Sequence, residues 1–241
     1  MNERGRYLMN EKNSWEIVEF EEIGSTNDYA KQRRGEGRNL IVTAKRQTGG
    51  RGTKGRSFSS QEGGVYITKL TFYKGFLAKN SFQIMASAAT AVCKTLRAFG
   101  LSPVIKWPND IFVNDKKICG ILIENTFSGN EVVSSVVGIG INVHNELEEK
   151  LKDIATTIRT ERGKLFSVEE VKKRLISEWN KDFSMDEYRS FIGYLGREVT
   201  LIFGDERVPA TLVSVDETGG LWVKRGEKIS RVTAAEVSVR I

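Results

Sequence analysis

The chain has 241 residues, 39% of them hydrophobic and 9% aromatic, enough for one large domain or for a medium domain plus a small one. Its net charge of +6 suits a soluble surface with an anionic partner, either nucleotide phosphate or an acidic protein, and no continuous basic run of the kind that tracks nucleic acid is present. A single histidine, His144, excludes a zinc site with two His ligands and leaves a Ser-His-Asp triad only that one candidate, while no apolar run approaches the ~20 residues of a membrane helix.

Residues 1–14 are polar and are expected to be loose. The start, Met1-Asn2-Glu3-Arg4-Gly5, carries no apolar signal core. Cys93 and Cys119 lie in apolar stretches without a Cys-x-x-Cys spacing and read as buried thiols. Together these features place the chain in the cytoplasm. Residues 15–20 alternate as a strand. Gly24-Ser25-Thr26-Asn27-Asp28 gives a turn and an N-cap that opens a short helix to about Arg34. Residues 39–44 read as a second strand and 65–72 as a third, with a polar, glycine-rich and basic loop between them. Phe82, Met85, Ala86, Ala89, Val92, Cys93, Leu96 and Phe99 recur at three and four, the buried stripe of a helix ended by Gly100.

Further on, residues 104–107 form a short strand closed by Pro108-Asn109-Asp110. Residues 111–113 and 118–124 flank the turn Asn114-Asp115-Lys116 as a hairpin. A long apolar strand spans 132–143 and carries Gly138 and Gly140. Ser167-Val168-Glu169-Glu170 is a capping box opening a helix whose apolar face is Val171, Leu175, Trp179 and Phe183. After about Tyr194 short strands follow at roughly ten-residue spacing, the pattern of a small barrel. A domain boundary is expected near 190, with units 1–190 and 191–241.

Four stretches carry chemistry. In Gln47-Thr48-Gly49-Gly50-Arg51-Gly52-Thr53-Lys54-Gly55-Arg56 the glycines admit close backbone N–H approach and the cations fix positive charge, which makes an anion cradle. The Gly-Lys-Ser/Thr ending of a phosphate-binding P-loop is missing, and a flexible basic surface loop has the same composition. Lys106-Trp107-Pro108-Asn109-Asp110, followed by Lys117-Ile118-Cys119-Gly120, sets a carboxylate between lysines, as a magnesium nucleotide requires; a tight turn explains Pro108 and Asn109 but not the lysines. In Gly138-Ile139-Gly140-Ile141-Asn142-Val143 the glycines mark either close approach of a ligand or a bulge, and Asn142 is placed to read an adenine or ribose edge. Gly24-Ser25-Thr26-Asn27 reads as a helix cap or as a cluster that hydrogen-bonds a neutral polar ligand head.

Taken with the Gly63-Gly64-Val65-Tyr66 strand, these stretches resemble, in order and separation, the catalytic core of biotin–protein ligases. The resemblance covers roughly residues 15 to 241. It implies an α+β catalytic domain like that of class II aminoacyl-tRNA synthetases, with a mixed sheet, followed by an SH3-like β-barrel. It implies ATP and Mg²⁺ as cofactors, biotin as substrate and a biotin carboxyl carrier domain as partner, with no nucleic acid and no membrane. Ser25, Thr26, Asn27 and Gln47 would meet the ureido ring, with Gly52 and Thr53 also on the biotin side. Tyr66 and Gly120 would line the biotin pocket. Arg51 and Lys117, the catalytic pair, would hold the biotin carboxylate and the α-phosphate. Arg56, Phe58, Lys106, Asn109, Asp110 and Asn142 would form the ATP side, with Asp110 on the metal.

Such a ligase must bring an anionic carboxylate against an anionic phosphate, and fixed cations and backbone N–H groups offset that repulsion. The carrier amine then attacks the mixed anhydride and needs only positioning. One departure stands out: the family has Gly-Arg-Gly-Arg where this chain has Arg51-Gly52-Thr53, with Lys54 or Arg56 as the substitute cation. A second is that only about 14 residues precede the first expected strand, too few for a winged helix-turn-helix, so operator binding is not expected. An exposed strand edge in the catalytic sheet leaves a homodimer open. The rival readings are a lipoate or octanoate ligase on the same fold and a biotin or adenylate sensor without turnover.

Overall fold

The computed structural model describes residues 6–10, 15–234 and 238–240. An eight-stranded sheet contains β1 (Arg6–Asn10), β2 (Trp15–Ile23), β3 (Leu40–Gln47), β4 (Gly64–Phe72), β5 (Val104–Lys106), β6 (Asp110–Val113), β7 (Lys116–Ser128) and β8 (Glu131–Asn142). Their spatial order is β1-β2-β3-β4-β8-β7-β6-β5. Only β2 and β3 run parallel, because the chain between them crosses over through helix α1 (Thr26–Gln32); every other neighbour is antiparallel. The sheet is therefore mixed, as expected.

Strand β1 corrects the expectation that residues 1–14 are loose, since its five residues pair with β2 from Arg6 opposite Glu19 to Asn10 opposite Trp15. Residues 1–5 and 11–14 lie outside the described residues.

Alternation along the strands gives the sheet two different faces. One face meets α2 (Phe82–Ala98) and α4 (Val168–Trp179), and its core includes Ile41, Val65, Ile67, Ile139, Ile141, Ala89, Val92, Cys93, Leu96, Val171 and Leu175. Each fully buried Ile or Leu there contributes roughly 1.5–3 kcal/mol. The expected stripes of both helices are thus the packed ones, except that α4 ends at Trp179 and leaves Phe183 beyond it. Ser167 caps α4 by accepting from the Glu170 N–H, while a full reciprocal capping box forms at Ser184 and Glu187, opening the short α5 (Met185–Ser190) that the sequence reading missed. Helix α3 (Ile158–Arg162), capped by Thr157, was likewise not anticipated.

The opposite face carries α1 over Phe20, Val42, Leu70 and Val136, and leaves the ends of β4, β6, β7 and β8 uncovered.

A second, antiparallel sheet holds β9 (Glu198–Phe203), β10 (Glu206–Val215), β11 (Leu221–Arg225), β12 (Lys228–Val232) and β13 (Ser238–Arg240), in the order β12-β11-β10-β9-β13. Among the described residues this order is open rather than closed into a barrel. The second sheet is stitched to the first behind the Lys106–Asp110 turn. The Trp107 indole N–H donates to Gly219 O at 3.1 Å, the Tyr188 hydroxyl to Pro108 O at 3.2 Å, and Arg189 Nε to Val215 O at 2.7 Å. No helix among the described residues is long and apolar enough to cross a membrane.

Candidate functional site

Register across the large sheet explains why separate sequence stretches converge. Lys106 pairs with Asp110, Asp110 with Gly120, Gly120 with Gly140, and Gly140 with Tyr66. Directly opposed residues point to the same face, so this row sets a cation and a carboxylate beside a floor of two adjacent glycines. The next row on that face runs Thr68, Gly138, Leu122. A cavity of about 510 Å³ opens above these rows.

The glycines are required by close approach. A Cβ on Gly138 would stand 2.0 Å from Asn27 Oδ1, and one on Gly140 would stand 2.5 Å from the Phe58 ring. The strand is continuous, with β4 and β8 in register from Gly64–Asn142 to Phe72–Ser134, which excludes a bulge, and what the glycines make room for is the side chains of Asn27 and Phe58.

One end of the cavity is a neutral polar cluster. Ser25, Thr26 and Asn27 are all at least 94% buried at the start of α1, where the Ser25 hydroxyl caps the helix by accepting from the Asp28 N–H. Gln47, at the end of β3, accepts from both the backbone N–H and the hydroxyl of Thr26 at 2.9 Å, and its Nε2 donates to Ser60 at 2.9 Å. Thr68 donates to Asn27 Oδ1 at 2.6 Å. These bonds leave few rotamers free and present a fixed set of donors and acceptors.

The other end is charged. Lys117 Nζ lies 2.7 Å from Asp110 Oδ1, but off the direction of a well-aligned hydrogen bond, so that oxygen keeps acceptor capacity. Arg51 pairs with Asp28 at 2.6 Å. Burial acts to raise the Asp28 carboxyl, yet hydrogen bonds from Lys31 and Arg51 outweigh it and hold the group below the usual carboxylate range. The guanidinium of Arg56 folds back on Thr53, donating to its hydroxyl at 2.9 Å and to its carbonyl at 3.2 Å. Arg56 therefore brings a cation to the position where the departure at Thr53 removed one; the side chain of Lys54 lies outside the described residues. The loop itself is tied to the turn before α1 by Thr48 N–H to Ile23 O at 2.9 Å and Gly49 N–H to Gly24 O at 2.7 Å. That bonding makes it a built wall rather than a loose basic strand of surface.

Fifteen of the sixteen residues singled out from the sequence line this one cavity: Ser25, Thr26, Asn27, Gln47, Arg51, Gly52, Thr53, Arg56, Phe58, Lys106, Asn109, Asp110, Lys117, Gly120 and Asn142. Tyr66 does not. It is 1% exposed, its ring packs under Gly64, and its hydroxyl donates to Gln61 O at 2.5 Å. Burial also pushes its phenol up. Asn142 lines the cavity with both ends of its amide engaged, Nδ2 donating to Thr156 O at 3.1 Å and Oδ1 accepting from Asn145 at 3.2 Å.

The sequence reading missed one part of the wall and one of its supports. The support is Thr68, fully buried against Asn27, which was only one polar position in an alternating strand. The apolar group Leu147, Leu151 and Ile154 lies in a segment sewn to β7 by Lys117 N–H to Ile154 O and Thr156 N–H to Lys117 O, both 2.9 Å. The four- and three-residue spacing of those side chains was the available signal. Glu124 holds Lys31 at 3.0 Å and accepts from Asn27 Nδ2 at 3.4 Å. Trp107 is buried, and its indole N–H is bonded to Gly219 O in the turn between β10 and β11.

Among the described residues no group of three or more His, Cys, Asp or Glu side chains could hold a metal ion alone. Asp110 fits the looser requirement of Mg²⁺, which takes one or two carboxylates together with nucleotide phosphates.

Comparison with known proteins gives the same answer twice along the chain. Residues 19–142 match the model of the biotin/lipoate A/B protein ligase family, and residues 194–240 match that of the biotin protein ligase C terminal domain. The bifunctional ligase/repressor BirA of Bacillus subtilis is 30% identical over 213 residues, which are 83% of this chain; the match spans 66% of that relative's length. The Escherichia coli BirA is 28% identical over 233 residues, 90% of this chain and 72% of that one. A solved biotin protein ligase from Aquifex aeolicus, in complex with biotin and ATP, superposes with a TM-score of 0.72 at 31% identity, covering 93% of this chain and 98% of its own. With the family model covering the site-bearing half and the sheet matching throughout, the chain belongs to the biotin/lipoate A/B protein ligase family.

Proposed function

We propose that this chain is a biotin–protein ligase that forms biotinyl-5'-AMP from biotin and MgATP and then transfers biotin to a lysine of a biotin carboxyl carrier domain. The observation that carries the reading is the polarity of the cavity. A neutral hydrogen-bonding cluster closes one end and four basic side chains, Arg51, Arg56, Lys106 and Lys117, stand toward the other. Biotin has this same polarity, with an uncharged ureido head, an apolar tail and a carboxylate.

In this reading Ser25, Thr26, Asn27 and Gln47 hold the ureido ring, with Gly120, Gly138 and Gly140 as the floor under the tail. Arg51 and Lys117 take the carboxylate and the α-phosphate, and Gly52 and Thr53 close over them. Lys106, Asn109 and Asp110 face the outer phosphates, with Asp110 toward Mg²⁺, which supplies charge neutralisation on the phosphates when bound. Arg56 and Phe58 lie on the nucleotide side, and Asn142 serves it by fixing the wall rather than by a free amide. Tyr66 acts from beneath as packing. For adenylation Arg51 must exchange Asp28 for the ligand anion, which is a swap between charge-assisted bonds of similar kind. We further read residues 1–190 as the catalytic unit, related in fold to class II aminoacyl-tRNA synthetases, and 191–241 as an SH3-like barrel; the bulge between Leu212 and Ser214 supplies the bend that such a barrel needs.

The test is ATP–pyrophosphate exchange with Mg²⁺ and biotin, lipoate or neither acid, followed by transfer to a purified carrier domain. Exchange that depends on biotin is expected. Exchange with lipoate alone would reassign the substrate, and none with either acid would leave a binding protein without turnover.

A further inference from the structure

The helix-covered face of the large sheet holds a second, smaller cavity, of about 280 Å³, that the ligase chemistry does not use. It lies between β4, β8, α2 and the end of α4. Its wall is mostly apolar or aromatic, with Tyr73, Phe76, Ile84, Val137, Trp179 and Phe183. One lining residue is charged, Lys69. Alternation along β4 turns Lys69 away from the face that carries the large cavity, on which Thr68, the preceding residue, is buried against Asn27.

The surroundings of Lys69 are unusual for a cation. Its ammonium stands 4.3 Å from the centre of the Trp15 ring and 5.3 Å from that of Trp179, and donates to Asn180 Oδ1 at 3.0 Å. Asn180 is the C-cap of α4, so the helix's negative end also faces this charge. Among the described residues no carboxylate pairs with it. Aromatic faces, an amide oxygen and a helix terminus stabilise a cation weakly compared with a counter-ion. Burial accordingly lowers the amine to about 8. A half-buried lysine that keeps one donor-rich end at an apolar cavity is placed to accept an anion with an apolar body.

We propose that this cavity is a second ligand site, for a small organic acid whose carboxylate pairs with Lys69 and whose apolar body fills the space between Trp179, Phe76 and Phe183. It is separate from the proposed biotin and ATP cavity and does not depend on how that one is assigned. Octanoate is the probe, with octanol as its uncharged counterpart. Binding is read by saturation transfer from protein to ligand in NMR and by quenching of tryptophan fluorescence, since Trp15 and Trp179 flank the ammonium.

Octanoate is expected to bind the unaltered protein at least tenfold more tightly than octanol. Lys69→Met should abolish that preference, Lys69→Arg should retain it, and Gly138→Ala, which alters the large cavity, should leave it unchanged. A thermal midpoint for each variant confirms that it is folded. Equal binding of acid and alcohol, no binding of octanoate at millimolar concentration, or a loss caused by Gly138→Ala but not by Lys69→Met would each overturn the proposal.

Discussion

The closest approach in the cavity floor gives a direct test of the polar cluster. Replacing Gly138 by Ala puts a methyl carbon where Asn27 Oδ1 is now 2.0 Å away and Asn27 Cγ 2.8 Å away. Both distances are far inside van der Waals contact, so Asn27 must move. It is 5% exposed, held by Thr68 above and Glu124 below, and starts α1, so it has no empty space to enter. Overpacking of this kind costs about 1–3 kcal/mol of stability. Breaking the Thr68 bond adds roughly 0.5–1.5 kcal/mol. If Asn27 makes one or two hydrogen bonds to the ureido head, their loss amounts to about 1.5–3 kcal/mol, or roughly ten- to a hundredfold in biotin affinity. Titration calorimetry with biotin reads the affinity, and a melting curve reads the stability. A stable variant that binds biotin within threefold of the parent would refute the placement of Asn27, because the methyl cannot be accommodated without displacing it.

Other consequences follow from the charged end. Lys117→Met should lower kcat/KM for adenylation by about 10²–10³ with only a small change in melting temperature, since its partner Asp110 is partly solvated; an unchanged rate in pyrophosphate exchange would remove Lys117 from the reaction. Thr53→Arg supplies a cation directly where Arg56 now reaches back, so it should lower the escape of free biotinyl-adenylate, measured as adenylate trapped outside the protein; undiminished escape would show that Arg56 already does this work. In the second sheet Asp216 accepts from Arg231, Thr218 and Gly220, and although burial acts to raise its carboxyl, these bonds hold it well below the usual range. A depressed folded value means that its contribution is complete above the ordinary 3.8 and fades as pH falls below it. The stability gap between the parent and Asp216→Asn should therefore be largest near neutrality and shrink toward pH 2, as denaturant midpoints across that range would reveal; a gap independent of pH would refute the linkage.

Much of the site could be read from residues because its parts are local. Gly138 and Gly140 betrayed the floor, since a glycine pair inside an apolar strand has no propensity reason to be there. The Gln47–Arg56 loop declared its anion chemistry by composition. What the sequence could not convey was register. Lys106, Asp110, Gly120 and Gly140 form one row only because β5, β6, β7 and β8 pair with particular offsets, including a bulge between Ile111 and Phe112. Tyr66 sits in that row and was expected in the pocket, yet its ring turns under Gly64 and its hydroxyl finds Gln61; nothing in the alternation distinguishes a side chain that lines a cavity from one that props it. Strand β1 escaped notice because its five residues, Arg6-Tyr7-Leu8-Met9-Asn10, do not alternate and gain their order from pairing with β2. The long reach of α4 to Phe183 failed at a different step, where Asn180 ends the helix.

The bond from Trp107 to Gly219 joins residues 112 positions apart, and it seats the turn that carries Asn109 and Asp110. A ribosome delivers the chain from its N-terminus, so β2 to β8 can pair and enclose the cavity long before residue 219 has been made. During that interval the indole of Trp107 lacks this acceptor, and the turn is backed through the Tyr188 hydroxyl on Pro108 O without the second sheet. Gly219 has a left-handed φ of +84° and lies so close to Phe82 that any side chain would collide with that ring, which leaves a single way for the late segment to dock. The end of the cavity that carries Asn109 and Asp110 thus gains its full backing only with the synthesis of the chain's last strands.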